Sequence, residues 1–144
     1  MADDEEYVES FMQGDDNELM AKIREREAAC APFLKPTGGN AAAALAKSLE
    51  DPPYQTRNAD VKNASYEVVA KALAAIKEAE IEAAVETLSL EQCDVLMKYV
   101  YRGLGQPGKK TDAYASLLKW HPALLKRAGP ASIVRAISEV KETL

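Results

Sequence analysis

The chain has 144 residues, enough for one ordinary domain and too few for a second. With 47% hydrophobic and 28% charged residues it falls in the globular range, which excludes wholesale disorder. Its net charge of −5 is unevenly spread: residues 1–27 hold ten acids against three bases, whereas the rest holds thirteen acids and fifteen bases. That near-neutral body excludes a nucleic-acid footprint and points to protein partners.

The 25 alanines and the 6% aromatic content favour helix over strand. The start, MADDEEYVES, has neither a basic nor an apolar region of the secretory kind, and no apolar run approaches the roughly 18–20 residues of a membrane span. Cys30 and Cys93 lie 63 positions apart in the numbering, without metal or disulfide spacing. A soluble protein of a reducing, intracellular compartment is the expectation.

In chain order, residues up to Gly14 form an acidic segment in which Tyr7, Val8, Phe11 and Met12 would share one face of a helix. Alone it is too short to be stable, so it is either a solvated tail or a segment that orders on a partner. Residues 16–30 show helical periodicity through Leu19, Ile23 and Arg26, and APFLKPTGGN then breaks it. Asn40 is a candidate N-cap for AAAALAKSLED, which must stop before Pro52 and Pro53. A helix from about Asp60 to Ala79 puts Val61, Ser65, Val68, Ala72 and Ile76 on one face. After a short helix, IEAAVETL, Ser89 and Gln92 make a capping box for the helix carrying CDVLMKYVYRGL, which Gly103 and Gly105 are expected to end. Thr111 caps DAYASLLKW, Pro122 is expected to open a new segment, and Gly129-Pro130 repeats that stop and start before ASIVRAIS.

The segment 91–104 is apolar on two sides, Cys93, Leu96, Met97, Val100 and Leu104 on one and Val95 and Tyr99 on another. Such a helix is sandwiched between neighbours. The expected fold is all-α, with short helices stacked as a solenoid-like α-α superhelix; a compact bundle is the alternative. Residues 1–37 read as an acidic N-terminal arm, extended or partly disordered apart from a helix at 16–30, and 38–144 as the helical core.

Chemistry is sparse. GLGQPGKKT fits a phosphate-binding loop at Gly103, Gly108 and Lys109, but Lys110 stands where a magnesium-ligating hydroxyl is required and a helix precedes it. His121 is the one imidazole, without an evident nucleophile. No catalytic, cofactor-binding or metal-ligating residue is assigned. Tyr99, Tyr101, Tyr114 and Trp120 suit core filling or interface anchoring. Tyr7, Phe11, Lys98, Tyr101, Arg102, Trp120 and His121 are the candidate protein-interface residues.

DVLMKYVYRGL is similar to the most distinctive motif of subunit 5, the smallest subunit of the actin-related protein 2/3 complex. GNAAAALAKSLEDPPYQTRNADVK, EAEIEAAVETLS, LLKWHPALLKRAGPASIVRAIS and the final KETL also resemble that family, in order, over residues 38–144. EEYVESF resembles the family's acidic arm more loosely. The resemblance implies a non-catalytic, all-α subunit without cofactor, in the cytoplasm and actin cytoskeleton. It would dock on the complex's propeller subunit and subunit 4, tether actin-related protein 2 through its arm, meet filaments only through the complex, and touch neither nucleic acid nor membrane. A free-standing helical adaptor of the TPR type is the competing reading, and a small nucleotide-binding enzyme is a third.

Overall fold

The computed structural model describes residues 2–105, 111–138 and 144, with side chains over 15–105, 114–138 and 144. Among them are seven α-helices and no strand: α1 (Ala2–Cys30), α2 (Ala41–Ser48), α3 (Ala59–Ala75), α4 (Ile81–Glu86), α5 (Leu90–Leu104), α6 (Thr111–Ala128) and α7 (Ala131–Ser138). Short 3-10 turns occupy Ala31–Leu34 and Glu78–Glu80. The helix expected at 16–30 is the second half of α1, whose first half runs through the segment read as an extended or partly disordered arm. Leu19, Ile23, Arg26 and Cys30 line its buried side at helical spacing.

The helices stack in sequence. α1, α2 and α3 pack on one another, α3 meets α5, and α5 packs against both α6 and α7, while α4 lies on α6. The two apolar sides of α5 account for its central place: Cys93, Leu96, Met97, Tyr99 and Val100 are all fully buried. Local signals act as their chemistry dictates. Asn40 accepts the Ala43 N–H at 3.1 Å, and Ser89 and Gln92 close a reciprocal capping box. Gly129, at φ +81°, ends α6 by donating to the Leu125 carbonyl at 2.8 Å.

Three local expectations are corrected. α3 stops at Ala75, because Ile76 is extended and its N–H turns back to Leu73. Pro122 does not open a new segment, since α6 continues through it from Thr111 to Ala128. The ring removes a donor to the carbonyl of Leu118, a residue 52% exposed, while buried Leu117, Trp120 and Leu124 hold the other side of the helix. Gly103 does not end α5, a task that falls to Gly105. A Cβ on Gly103 would stand 2.5 Å from the Tyr66 hydroxyl of α3 and closer still to Leu117 of α6. Gly103 is therefore a position where α3 and α6 side chains occupy the space a Cβ would need. The side chain of Thr111, expected as a cap, and the basic loop with Lys109 and Lys110 lie outside the described residues, as do residues 139–143.

Polar side chains fasten the stack. Arg26 of α1, buried, donates to the carbonyls of Ser48 at 3.3 Å and Asp51 at 3.2 Å, just past the C-terminus of α2, where a cation is favoured. Ser65 of α3 and Tyr99 of α5 share a buried hydroxyl bond of 2.6 Å. Burial pushes the Tyr99 phenol above its ordinary pKa, against the Ser65 bond and nearby Arg26, so it stays neutral. Arg135 of α7 grips Asp94 of α5 through two bonds of 2.9 Å.

Two substitutions test this packing. Helix propensity alone would favour Gly103→Ala by about 1 kcal/mol, yet the clash with two buried side chains should make it net destabilising by about 1–3 kcal/mol. Gly105→Ala, whose Cβ would meet the Tyr101 carbonyl oxygen at a tight 3.3 Å but no side chain of a neighbouring helix, should lower the urea midpoint less than Gly103→Ala. Arg26→Met leaves two carbonyls unpaired and should lower stability by about 2–3 kcal/mol, whereas exposed Arg24→Met should stay within about 0.5 kcal/mol.

Candidate interaction surfaces

The candidate interface residues fall in different settings. Lys98 is 6% exposed, and its ammonium sits 4.7 Å from the centre of the Tyr54 ring and 3.5 Å from its hydroxyl. A lysine in that place anchors the 49–54 loop to α5 inside the chain. Trp120 is fully buried and fills the core, and its indole N–H has no hydrogen-bond partner. Of the two roles the sequence allows it, packing is the one visible here.

Tyr101 of α5 and His121 of α6 are half-exposed and adjacent, with the phenol oxygen 2.8 Å from Nε2 and the rings edge to face at 5.5 Å. This pair ties two helices together and leaves part of both rings at the surface. Arg102 reaches back to α3, donating to Asn63 Oδ1 at 2.6 Å and to the Ala59 carbonyl. Burial lowers its pKa, partly offset by Tyr99 and Tyr66. The side chains of Tyr7 and Phe11 lie outside the described residues.

The chemistry of a reactive centre is not assembled. Both cysteines are buried and free, and burial raises the pKa of each thiol, so the nucleophilic thiolate is disfavoured. Among the described residues, no group of three or more histidine, cysteine, aspartate or glutamate side chains could hold a metal ion. None of the described helices is long and apolar enough to cross a membrane.

What the sequence reading missed is apolar surface on the last two helices. α7 buries Ala136 and half-buries Ile133, yet turns Val134 and Ile137 outward at 59% and 61% exposure. On α6, Tyr114 and Leu118 stand exposed one turn apart, followed at helical spacing by His121. The signal was available: α7 is apolar on two sides, the same pattern that marks 91–104 as sandwiched, but in α7 one side has no neighbour among the described residues. Large apolar residues exposed in this way mark contact surfaces.

Comparison with known proteins meets this geometry. The chain matches the P16-Arc family, described as ARP2/3 complex 16 kDa subunit (p16-Arc), over residues 2–143. It is 37% identical over 139 residues to actin-related protein 2/3 complex subunit 5 of Dictyostelium discoideum, covering 96% of each chain. Identity is 36% over 139 residues to subunit 5-C of Xenopus laevis, covering 96% of this chain and 83% of that one. A probable subunit 5 of Caenorhabditis elegans is 33% identical over 121 residues, 81% of this chain and 82% of the other. With a family match spanning nearly the whole sequence and relatives 36–37% identical over 96% of it, the chain belongs to the family of the 16-kDa subunit, subunit 5, of the ARP2/3 complex.

Proposed function

We propose that this structural subunit of the complex is non-catalytic and works by holding other subunits together. Its helical body docks on the propeller subunit and subunit 4, and its acidic N-terminal arm tethers actin-related protein 2. Through those contacts it supports nucleation and branching of actin filaments in the cytoplasm, with ATP bound by the actin-related subunits and not by this chain. The observation that carries the reading is the outward apolar side of α7, Val134 and Ile137, on a chain whose relatives are named as subunits of one assembly. A stacked helical protein needs a polar outer face on its terminal layer if it is to stand alone in water. This one presents aliphatic side chains there instead, which favours permanent burial against another subunit over a free-standing adaptor.

The arm works differently. Its carboxylates and few apolar residues cannot bury enough surface to bind tightly alone, but a body already docked holds it at high effective concentration.

Two variants in a reconstituted complex separate these roles. Val134→Glu with Ile137→Glu should leave the helical circular dichroism and melting temperature of the isolated chain unchanged while preventing its incorporation into the complex. Deleting residues 1–15 should leave incorporation intact and lower branch nucleation in pyrene-actin assembly. Loss of incorporation on that deletion would make the arm part of the docking core, and unchanged nucleation would reduce it to a solubilising extension.

A further inference from the structure

A cleft of about 530 Å³ opens between the loop that follows α2, the first turns of α5 and Arg135 of α7. Its apolar lining comes from Leu49, Pro52, Tyr54 and Val95. Its charges are unbalanced, with Glu50, Asp51, Glu91 and Asp94 against Lys98 and Arg135. Both cations are engaged within the chain, Lys98 on the Tyr54 ring and Arg135 in its double bond to Asp94. Glu50, Asp51 and Glu91 are exposed, and none has an ion-pair partner among the described residues.

Fold chemistry accounts for Glu91, and at Asp51 for the residue type but not the charge, since asparagine tolerates the left-handed backbone there equally well. Glu91 lies in the first turn of α5, where the helix dipole favours an acid. Glu50 and Asp51 follow the C-terminus of α2, where the same dipole disfavours negative charge. Arg26 meets this end of α2 through the backbone carbonyls of Ser48 and Asp51, not through either carboxylate. The cleft thus combines an apolar floor with three uncommitted carboxylates at its rim.

We propose that this cleft is a docking groove for a basic segment of a partner protein, a stretch in which arginine or lysine alternates with an apolar residue. The apolar residue would settle on Leu49, Pro52 and Val95 while the flanking cations meet Glu50, Asp51 and Glu91. The groove is lined by residues other than the outward Val134 and Ile137 of α7, although Arg135 of the same helix borders it. Because its charged contacts are at the rim, they contribute steering and selectivity more than depth of binding, and they weaken with salt.

The test uses the full chain and a fluorescently labelled Arg-Leu-Arg-Leu-Arg peptide, with Arg-Gly-Arg-Gly-Arg and Glu-Leu-Glu-Leu-Glu as comparisons. Anisotropy should show saturable binding of the first, weaker binding of the glycine peptide and none of the acidic one. The variant Glu50→Gln, Asp51→Asn, Glu91→Gln should weaken binding roughly tenfold, the sum of three modest surface pairs. Asparagine at 51 preserves tolerance of the left-handed backbone found there, φ +46°. Glu80→Gln, Glu82→Gln, Glu86→Gln, which removes equal charge at residues that do not line the cleft, should change affinity less than about twofold, since exposed charges without direct contact are screened by salt. Amide chemical shifts of the unmodified chain supply a measurement free of any folding defect, and the peptide should perturb 49–54 and 91–98. Equal weakening by the Glu80, Glu82, Glu86 variant, shift changes centred elsewhere, or no saturation up to roughly millimolar peptide would each overturn the proposal.

Discussion

Four arginines carry the joints of this stack, and the burial of the first constrains the others. A guanidinium cannot lose water without gaining acceptors, because an uncompensated buried charge costs several kcal/mol. Arg26 finds its acceptors only if α2 ends at Ser48 and the chain then turns back through Asp51 with a left-handed backbone. That turn sets the 49–54 loop over α5, where Tyr54 covers Lys98. The same pattern recurs along the chain: Arg102 joins α5 to α3 through Asn63, Arg127 joins α6 to the Leu88 carbonyl before α5, and Arg135 joins α7 to Asp94. Apolar packing supplies most of the stability, but it is non-directional. The guanidinium bonds fix which turn of one helix faces which turn of the next.

This distribution of polar groups also explains the poverty of reactive chemistry. The groups that could serve catalysis are committed to structure. Tyr99 is neutral and bonded to Ser65, and both thiols are buried. His121, the one imidazole, meets the Tyr101 hydroxyl across the α5–α6 joint. A structural subunit needs a rigid body and outward apolar surface more than a poised acid or base, and the described side chains are divided in that way.

How much was legible in advance follows the range of each signal. Asn40, the Ser89–Gln92 box, the Leu19–Ile23–Arg26 stripe and the two-sided apolar pattern of 91–104 act within a turn or two, and each corresponds to an element that forms. Gly103 misled because glycine near the end of an apolar run suggests a cap, and only the positions of Tyr66 and Leu117 show that it is a point of close approach. Pro122 misled because the cost of a lost donor depends on whether the freed carbonyl faces water, which periodicity does not give. Among the interface candidates, Lys98 is held within the chain by Tyr54, 44 positions away. No local pattern foretells that contact.

The attachment of α1 bears on what its acidic first half can do. Leu19, Ile23, Arg26 and Cys30 bind the second half to the body, while Asp16 holds Thr56 and Asn58, and Glu27 meets Lys71 at 2.5 Å. The exposed Glu27–Lys71 pair adds little by itself, since surface ion pairs are worth about 0–1 kcal/mol. The contacts at Asp16 matter for position, because they join α1 to the residues that lead into α3. A helix rises 1.5 Å per residue, so a segment anchored at Asp16 leaves the body in a direction set by the α1 stripe and not by the arm's own sequence. For the tethering role proposed above, the direction of α1 therefore depends on Arg26 and the Asp16 contacts, and a change that breaks either should misdirect the segment even with its own residues intact.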